Sequence, residues 1–313
     1  MTQFISRAYN RFTLDEARGL IIKKSETDRL NDEINYYKAL PLELSIFFPR
    51  LYASYTKNGI HTMELEYYAY KDLGKLMVEG RFASNKDLWR KIFERIKDIL
   101  DAFKKYTAPG NQEDFESMYI KKTLTEYENL KQKFPAFKKI CSEKELVING
   151  MQYKNFEQIW LRIEPKIRAL FGQSFTAFHG DLCFSNILYG QSEDGHVVLK
   201  LIDPRGRFGK VGYFGDYRYD FAKLMHSFDG GYEYIIRDAF LLKHRGNVID
   251  FTFKNDHRAE IEKVFYKIFK YSKEYKMLQG LIFIGMCARH YDSMERQKIM
   301  YATGVRILNE SLL

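Results

Sequence analysis

The sequence predicts an α+β fold in two lobes, a small β-rich lobe over residues 1–73 and a larger, mostly helical lobe over residues 74–313. Three observations predict it. Asn58-Gly59, flanked by β-prone runs, is the strongest kind of short hairpin signal and falls early in the chain. Apolar residues recur at helical spacing through residues 84–172 and again from Phe221 onward. Between those blocks lies one stretch of a different kind, Phe178–Pro204, in which two β-prone runs are punctuated by turn residues and by Asp181, Asn186 and Asp203.

Arg18–Lys24 reads as a strand ending in a basic pair, and alternation puts Lys23 and Lys24 on opposite faces. Asp28–Leu40 follows as a short amphipathic helix ending before Pro41, with Leu30, Ile34 and Tyr37 on one face and Glu33 on a flank. Arg50–Tyr55 and Ile60–Tyr68 are the strands of the Asn58-Gly59 hairpin, and the second leads into the link between the lobes. In the larger lobe, Ser84-x-x-Asp87 is a plausible helix start, and Pro109-Gly110 ends that helix. A second helix runs from about Asp114 to Phe134. A third is marked by Phe156, Trp160, Ile163 and Ile167, is kinked or interrupted at Pro165, and ends at Gly172. Lys121 and Lys122 are expected in solvent, with a substrate contact as the alternative. Beyond Asp203, helices are expected at about 221–228, 231–243, 257–273, 275–290 and 292–311.

The stretch Phe178–Pro204 has an internal logic. The runs Asn186–Tyr189 and Val197–Ile202 are joined by the turn-rich Gln191–Gly195, and the midpoint of Asn186 and Asp203 falls between Asp194 and Gly195. An antiparallel hairpin closing there sets Asn186 opposite Asp203 at its open end. Two oxygen ligands for a hard cation, one amide and one carboxylate, then lie one loop away from a second carboxylate, Asp181. The order H-G-D-x-x-x-x-N followed by I-D-P resembles the catalytic loop and metal aspartate of the aminoglycoside phosphotransferase and choline kinase superfamily, the small-molecule branch of the protein-kinase-like fold. More narrowly it is similar to the phosphotransferases of bacterial capsule and surface-polysaccharide synthesis. Residue types and spacing match over about Phe178–Leu224; elsewhere only the layout does.

That resemblance implies a two-lobed protein-kinase-like fold that binds ATP and Mg²⁺ and phosphorylates a hydroxyl of a small metabolite: a sugar, an amino alcohol or a related precursor. Asp181 would accept the hydroxyl proton, while Asn186 and Asp203 would hold the metal. Leu20-Ile-Ile-Lys23 fits the strand whose lysine holds the nucleotide phosphates, with Lys24 as runner-up, and Glu33 fits the helix glutamate that pairs with it. The backbone at Glu66, Tyr67 and Tyr68 would meet the adenine. His179 and Asp220 would support the loop structurally, Asp220 also suiting an N-cap for a helix starting at Phe221. Asp216 and Asp220 match the pattern G-D-x-x-x-D-[LF]-A. Two features depart from protein kinases: no G-x-G-x-x-G precedes Lys23, and no A-P-E follows Asp203, which favours a small acceptor. Arg205, Arg207, Lys210 and Arg218 crowd the segment after Asp203 with Asp216 among them, which suits an anionic acceptor, with solvent exposure or neutralisation of the ATP phosphates as the alternatives.

Composition bounds the alternatives. The net charge of +9 raises nucleic acid as a partner, but the basic residues are dispersed in pairs rather than blocked, so solvated helix surfaces are favoured. A non-catalytic nucleic-acid-binding module is the rival from another class. Choline or ethanolamine kinase is the rival enzyme, with Tyr213, Tyr217, Tyr219 and Tyr232 as an aromatic cage. Cys141, Cys183 and Cys287 are odd in number and far apart, which argues against disulfides and zinc. No apolar run approaches the roughly 18 residues of a membrane span, and Met1–Phe12 lacks a secretion signal's apolar core, so the expected compartment is the cytoplasm.

Overall fold

A computed structural model describes residues 10–79 and 84–313 of the chain. β1 (Asn10–Asp15) and β2 (Leu20–Ser25) form an antiparallel pair, followed by α1 (Asp28–Ala39), α2 (Leu42–Ser45), β3 (Leu51–Lys57) and β4 (Ile60–Glu66). The four strands make one antiparallel sheet in the order β1-β2-β4-β3. Asn58 and Gly59 take the left-handed backbone (φ 51° and 75°) that the tight β3–β4 hairpin demands. Leu30 and Ile34 of α1 bury against Met63 and Leu65 of β4, which gives this lobe its own small core.

A short β5 (Lys71–Asp72) and α3 (Leu73–Val78) lead to α4 (Lys86–Lys104). This helix starts one residue later than the Ser84 signal implied, because the Asn85 side chain caps it by accepting the Leu88 N–H at 3.0 Å. Its buried face, Leu88, Trp89, Ile92, Phe93, Ile96, Ile99, Leu100 and Phe103, anchors the large core. Then come β6 (Thr107–Pro109), α5 (Gln112–Glu116), a π-helical turn over Ser117–Lys121, α6 (Lys122–Lys133) and α7 (Pro135–Ser142). β7 (Glu145–Ile148), β8 (Met151–Lys154), α8 (Phe156–Ala169) and β9 (Ser174–Ala177) complete the middle of the chain, and α8 continues through Pro165.

The β10 (Ile187–Gln191) and β11 (Val197–Leu201) hairpin follows, then the short strands β12 (Arg207–Phe208), β13 (Lys210–Val211) and β14 (Phe214–Gly215). α9 (Tyr217–Phe228), α10 (Tyr232–Ile235), β15 (Phe240–Arg245), β16 (Val248–Phe253), α11 (Arg258–Ile268), α12 (Lys273–Ile284) and α13 (Met294–Glu310) close the chain.

Two expected helical regions are strands instead. Asn149 and Gly150, both at positive φ, turn the β7–β8 hairpin, the same signal as Asn58-Gly59 inside a block dominated by helical periodicity. The expected helix 231–243 stops at Ile235; β15 and β16 pair in its place, and Ile249, Phe251 and Phe253 alternate inward with the period of a strand. The four strands form a second sheet, β15-β16-β7-β8.

Candidate active site

β9 delivers the chain into the loop from His179 to Asn186, and the loop's conformation follows from its residues. Gly180 sits at φ 80°, and a Cβ there would stand 2.6 Å from the Cβ of Arg205, so the position needs glycine twice over. The His179 ring stacks on Phe48 with centroids 5.9 Å apart. Its Nε2–H donates to the Ile202 carbonyl at 3.0 Å, and its Nδ1 accepts the Asp181 N–H at 3.2 Å. Burial pushes the imidazole pKa down to about 4, so the ring is neutral, as an accepting Nδ1 requires. Asp220 accepts the N–H groups of His179 (2.7 Å) and Gly180 (2.8 Å). Burial pushes this carboxyl up to about 7, and those two N–H groups pull the other way. Asp220 is not the N-cap expected of it: α9 begins earlier, and Asp216 caps it by accepting the Arg218 N–H at 3.1 Å.

The Asp181 carboxylate meets the ammonium of Lys223 at 2.7 Å. Burial pulls Lys223 down, yet the charge of Asp181 prevails and its pKa stands above the ordinary lysine value. Lys223 was not anticipated; the signal it leaves is a lysine inside the buried helical run Phe221–Met225, one turn after Tyr219. Asn186 donates its Nδ2 to the Asp181 carbonyl at 2.8 Å, so its Oδ1 is left for another partner. The β10–β11 register pairs Ile187 with Leu201 and continues with Asn186 against Ile202, one residue short of the expected pairing with Asp203. Asp203 instead leaves the ladder in the left-handed conformation, φ 55°, which an aspartate tolerates better than most residues.

That turn sends Asp203 to the small lobe. The Lys23 ammonium lies 2.6 Å from Glu33 and 2.8 Å from Asp203, so strand β2, helix α1 and the end of β11 converge on one cation. Lys23 and Glu33 are buried, while the Asp203 side chain is 45% exposed. Burial alone would pull the ammonium down; Asp203 and Glu33 hold it above its usual pKa. Burial pushes Glu33 up to about 7 against the pull of Lys23, and its Oε1 has no hydrogen-bond partner. Lys24 is exposed on the other face. At the end of β4, the Tyr67 N–H is already committed to the Gly19 carbonyl at 2.9 Å, and the Glu66 carboxylate accepts the Tyr68 hydroxyl at 2.8 Å. The Tyr67 amide is therefore closed to a ligand.

The loop after Asp203 clasps α1. Arg207 forks onto Asp32 (2.9 and 3.0 Å), and Gly206, at φ 67°, approaches so closely that a Cβ would stand 2.2 Å from the Asp32 carbonyl oxygen. Gly206→Ala is expected to destabilise the protein by roughly 2–5 kcal/mol, adding left-handed strain to overpacking against a helix backbone. Denaturant unfolding measures this, and a variant as stable as the parent would show that α1 gives way freely.

Of the expected acceptor residues, Arg207 is thus spent on Asp32. Arg218 is spent on Asp216 (2.9 Å) and the Leu170 carbonyl (2.5 Å), and Asp216 also accepts the Tyr119 hydroxyl. Arg205 remains, its Nη1 donating to the Tyr219 hydroxyl at 3.2 Å. Lys122, expected in solvent, is half-buried and donates to the same hydroxyl at 3.3 Å. The four tyrosines of the postulated cage face separate neighbours: Tyr213 meets Phe214, Tyr217 meets Phe221, Tyr219 meets Tyr119, and Tyr232 meets His226.

No family model matches the chain, and no curated protein matches it in sequence. Among solved structures, a thermostable mutant of aminoglycoside phosphotransferase APH(4)-Ia in ternary complex with AMP-PNP and hygromycin B matches over 99% of this chain and 93% of its own, with a TM-score of 0.61 at 9% identity. The apo form of such a mutant matches over 93% and 87%, with a TM-score of 0.55, also at 9% identity. The fold is therefore the kinase-like α+β fold of the aminoglycoside phosphotransferases over nearly the whole chain. Among the described residues, no helix is long and apolar enough to cross a membrane.

Proposed function

We propose that the chain is an ATP- and Mg²⁺-dependent phosphotransferase whose acceptor is a hydroxyl of a small metabolite. One observation carries the reading: Lys23 bridges Glu33 and Asp203 across the two lobes, and the hairpin that delivers Asp203 also starts at Asn186, beside Asp181. Phosphoryl transfer asks a protein mainly for positioning and charge neutralisation, and these residues supply both. The donor set fits the metal. Asn186 keeps its amide oxygen and Asp203 its Oδ2, hard oxygens of the kind magnesium accepts when phosphates and water complete its shell. Bound there, the ion would neutralise charge on the phosphates.

In this reading Lys23, fixed by Glu33, holds the nucleotide phosphates, and β4 leads to the adenine through Glu66, Tyr67 and Tyr68. With the Tyr67 amide committed to Gly19, the next amide, that of Tyr68, takes the adenine contact. Asp181 accepts the proton of the acceptor hydroxyl at its carboxylate. Lys223 keeps that carboxylate oriented, while His179 and Asp220 fix the backbone that carries it. The cationic side chains near Asp181 disfavour a polycationic aminoglycoside, and the dispersed tyrosines disfavour choline. A place in surface-polysaccharide synthesis rests on the sequence pattern alone.

Mg²⁺-ATP is expected to raise the melting temperature, by mass action on the folded state, more than ATP with EDTA does. Screening a metabolite library with Mg²⁺-ATP then finds the acceptor. Salt-sensitive retention on nucleic acid, with no nucleotide stabilisation, would instead favour the nucleic-acid-binding module.

A further inference from the structure

Two basic side chains converge on one hydroxyl of α9. Lys122 and Arg205 both donate to the Tyr219 hydroxyl, at 3.3 and 3.2 Å, and both lie near its ring, at 5.7 and 5.8 Å from the centroid. Neither has a carboxylate within ion-pair distance among the described residues, whereas the arginines around them do: Arg207 has Asp32, Arg218 has Asp216, and Arg289 has Glu126 at 2.6 Å. A cavity of about 10 Å³ under Lys122 and Tyr219, lined also by Met118, Thr123, Leu281 and Ile282, has room for one water and brings no acidic group. Lys122 leaves a π-helical turn, a rare distortion that is frequent at functional sites. Two half-buried cations converging on a neutral phenol are short of an anion.

We propose that Lys122 and Arg205, bridged by the Tyr219 hydroxyl, form an oxyanion subsite, so that the acceptor is a hydroxylated metabolite that also carries a phosphate or carboxylate. The subsite rests on the phosphotransferase reading for its place in a reaction, and deepens it. Tyr219 and Lys223 are one turn apart on α9, roughly 5–6 Å between Cβ atoms, and Lys223 touches Asp181. The hydroxyl of the subsite and the residue that pairs with Asp181 therefore lie on neighbouring turns of one helix. Burial first, then the fields of Arg205, Arg289 and Lys223 against that of Asp181, hold Lys122 well below the ordinary lysine pKa. A bound anion reverses that balance by favouring the ammonium. Anion binding at alkaline pH thus takes up a proton, and weakens as pH rises.

The test is calorimetric titration of the full chain with inorganic phosphate, and separately with acetate, at constant ionic strength and with Mg²⁺-AMP-PNP present. Lys122→Met and Arg205→Met are each expected to weaken binding roughly 10–100-fold, the worth of one hydrogen bond to a charged group. Whichever of phosphate and acetate binds more tightly names the group the subsite takes. No binding to the parent protein, or equal binding by parent and variants, overturns the subsite. Should a variant fail to fold, the parent protein still decides. Sulfate does not titrate here, so its binding to the parent protein must weaken as the pH rises and Lys122 loses its proton, and an affinity unchanged between pH 7 and pH 11 removes Lys122 from the subsite. Thermal stabilisation by Mg²⁺-AMP-PNP is read in parallel. Its absence alongside variant-sensitive phosphate binding would sink the phosphotransferase reading and leave the subsite standing.

Discussion

Asp181→Asn is expected to lower turnover by about 10²–10⁴-fold, the usual worth of a positioned base, while the KM for ATP stays near that of the parent. Asparagine is the right replacement because Asp181 is the partner of Lys223, whose side chain is only 8% exposed. Breaking a buried pair outright leaves an uncompensated charge at about 3–5 kcal/mol, and an alanine variant would confuse that loss with a catalytic one. Asparagine also leaves the Lys223 charge uncompensated, but its amide oxygen still accepts from that ammonium, so less stability is lost than with alanine, and it cannot take the acceptor's proton. Steady-state kinetics alongside a thermal melt separates the two effects. Turnover undiminished in a folded variant would remove Asp181 from the chemistry.

Asp203→Asn is expected to weaken Mg²⁺-supported nucleotide binding sharply, because an amide oxygen replaces a charged one, whereas Asp220→Ala chiefly destabilises. The positions differ in what they face. Asp203 is 45% exposed and reaches Lys23 at 2.8 Å through one oxygen, the other making no hydrogen bond among the described residues. Asp220 is buried, and both its oxygens are used on the N–H groups of His179 and Gly180. Asparagine suits position 203 because the backbone there, at φ 55°, is left-handed, a region asparagine enters readily and alanine does not. Removing the Asp220 carboxylate leaves two buried N–H groups unpaired, at about 1–3 kcal/mol each. Titration calorimetry with Mg²⁺-ATP and denaturant unfolding on both variants make the comparison. Equal Mg²⁺-ATP affinity in the two would erase the distinction between a metal-side oxygen and a brace.

What the sequence by itself determined is the part written in short-range rules. The Asn58-Gly59 turn, the amphipathic α1 and α4, and the order Asp181, Asn186, hairpin, Asp203 all depend on residues a few positions apart. Where one short-range signal masked another, the reading failed: Asn149-Gly150 stood inside a helical block, and the helix expected over 231–243 ends at Ile235 and gives way to β15, whose partner β16 lay between two expected helices. The hairpin register missed by a single residue because turn composition fixes where a hairpin closes only to within a position, and one step is enough to exchange Asp203 for Ile202 opposite Asn186. Tertiary structure alone decided the charges. Lys23 and Asp203 are 180 residues apart in sequence and 2.8 Å apart in space, while Lys24 differs from Lys23 only in facing the other side of β2. The same holds for Arg207 and Arg218, drawn off to Asp32 and Asp216, for Lys122, expected in solvent but half-buried at the Tyr219 hydroxyl, and for Lys223, which burial against Asp181 sets apart. A charge in water interacts weakly with its neighbours; taken out of water it must find a partner or shift its protonation. Which lysines and arginines leave the water is settled by how the two lobes and the loop after β11 pack together, and no local pattern carries that information.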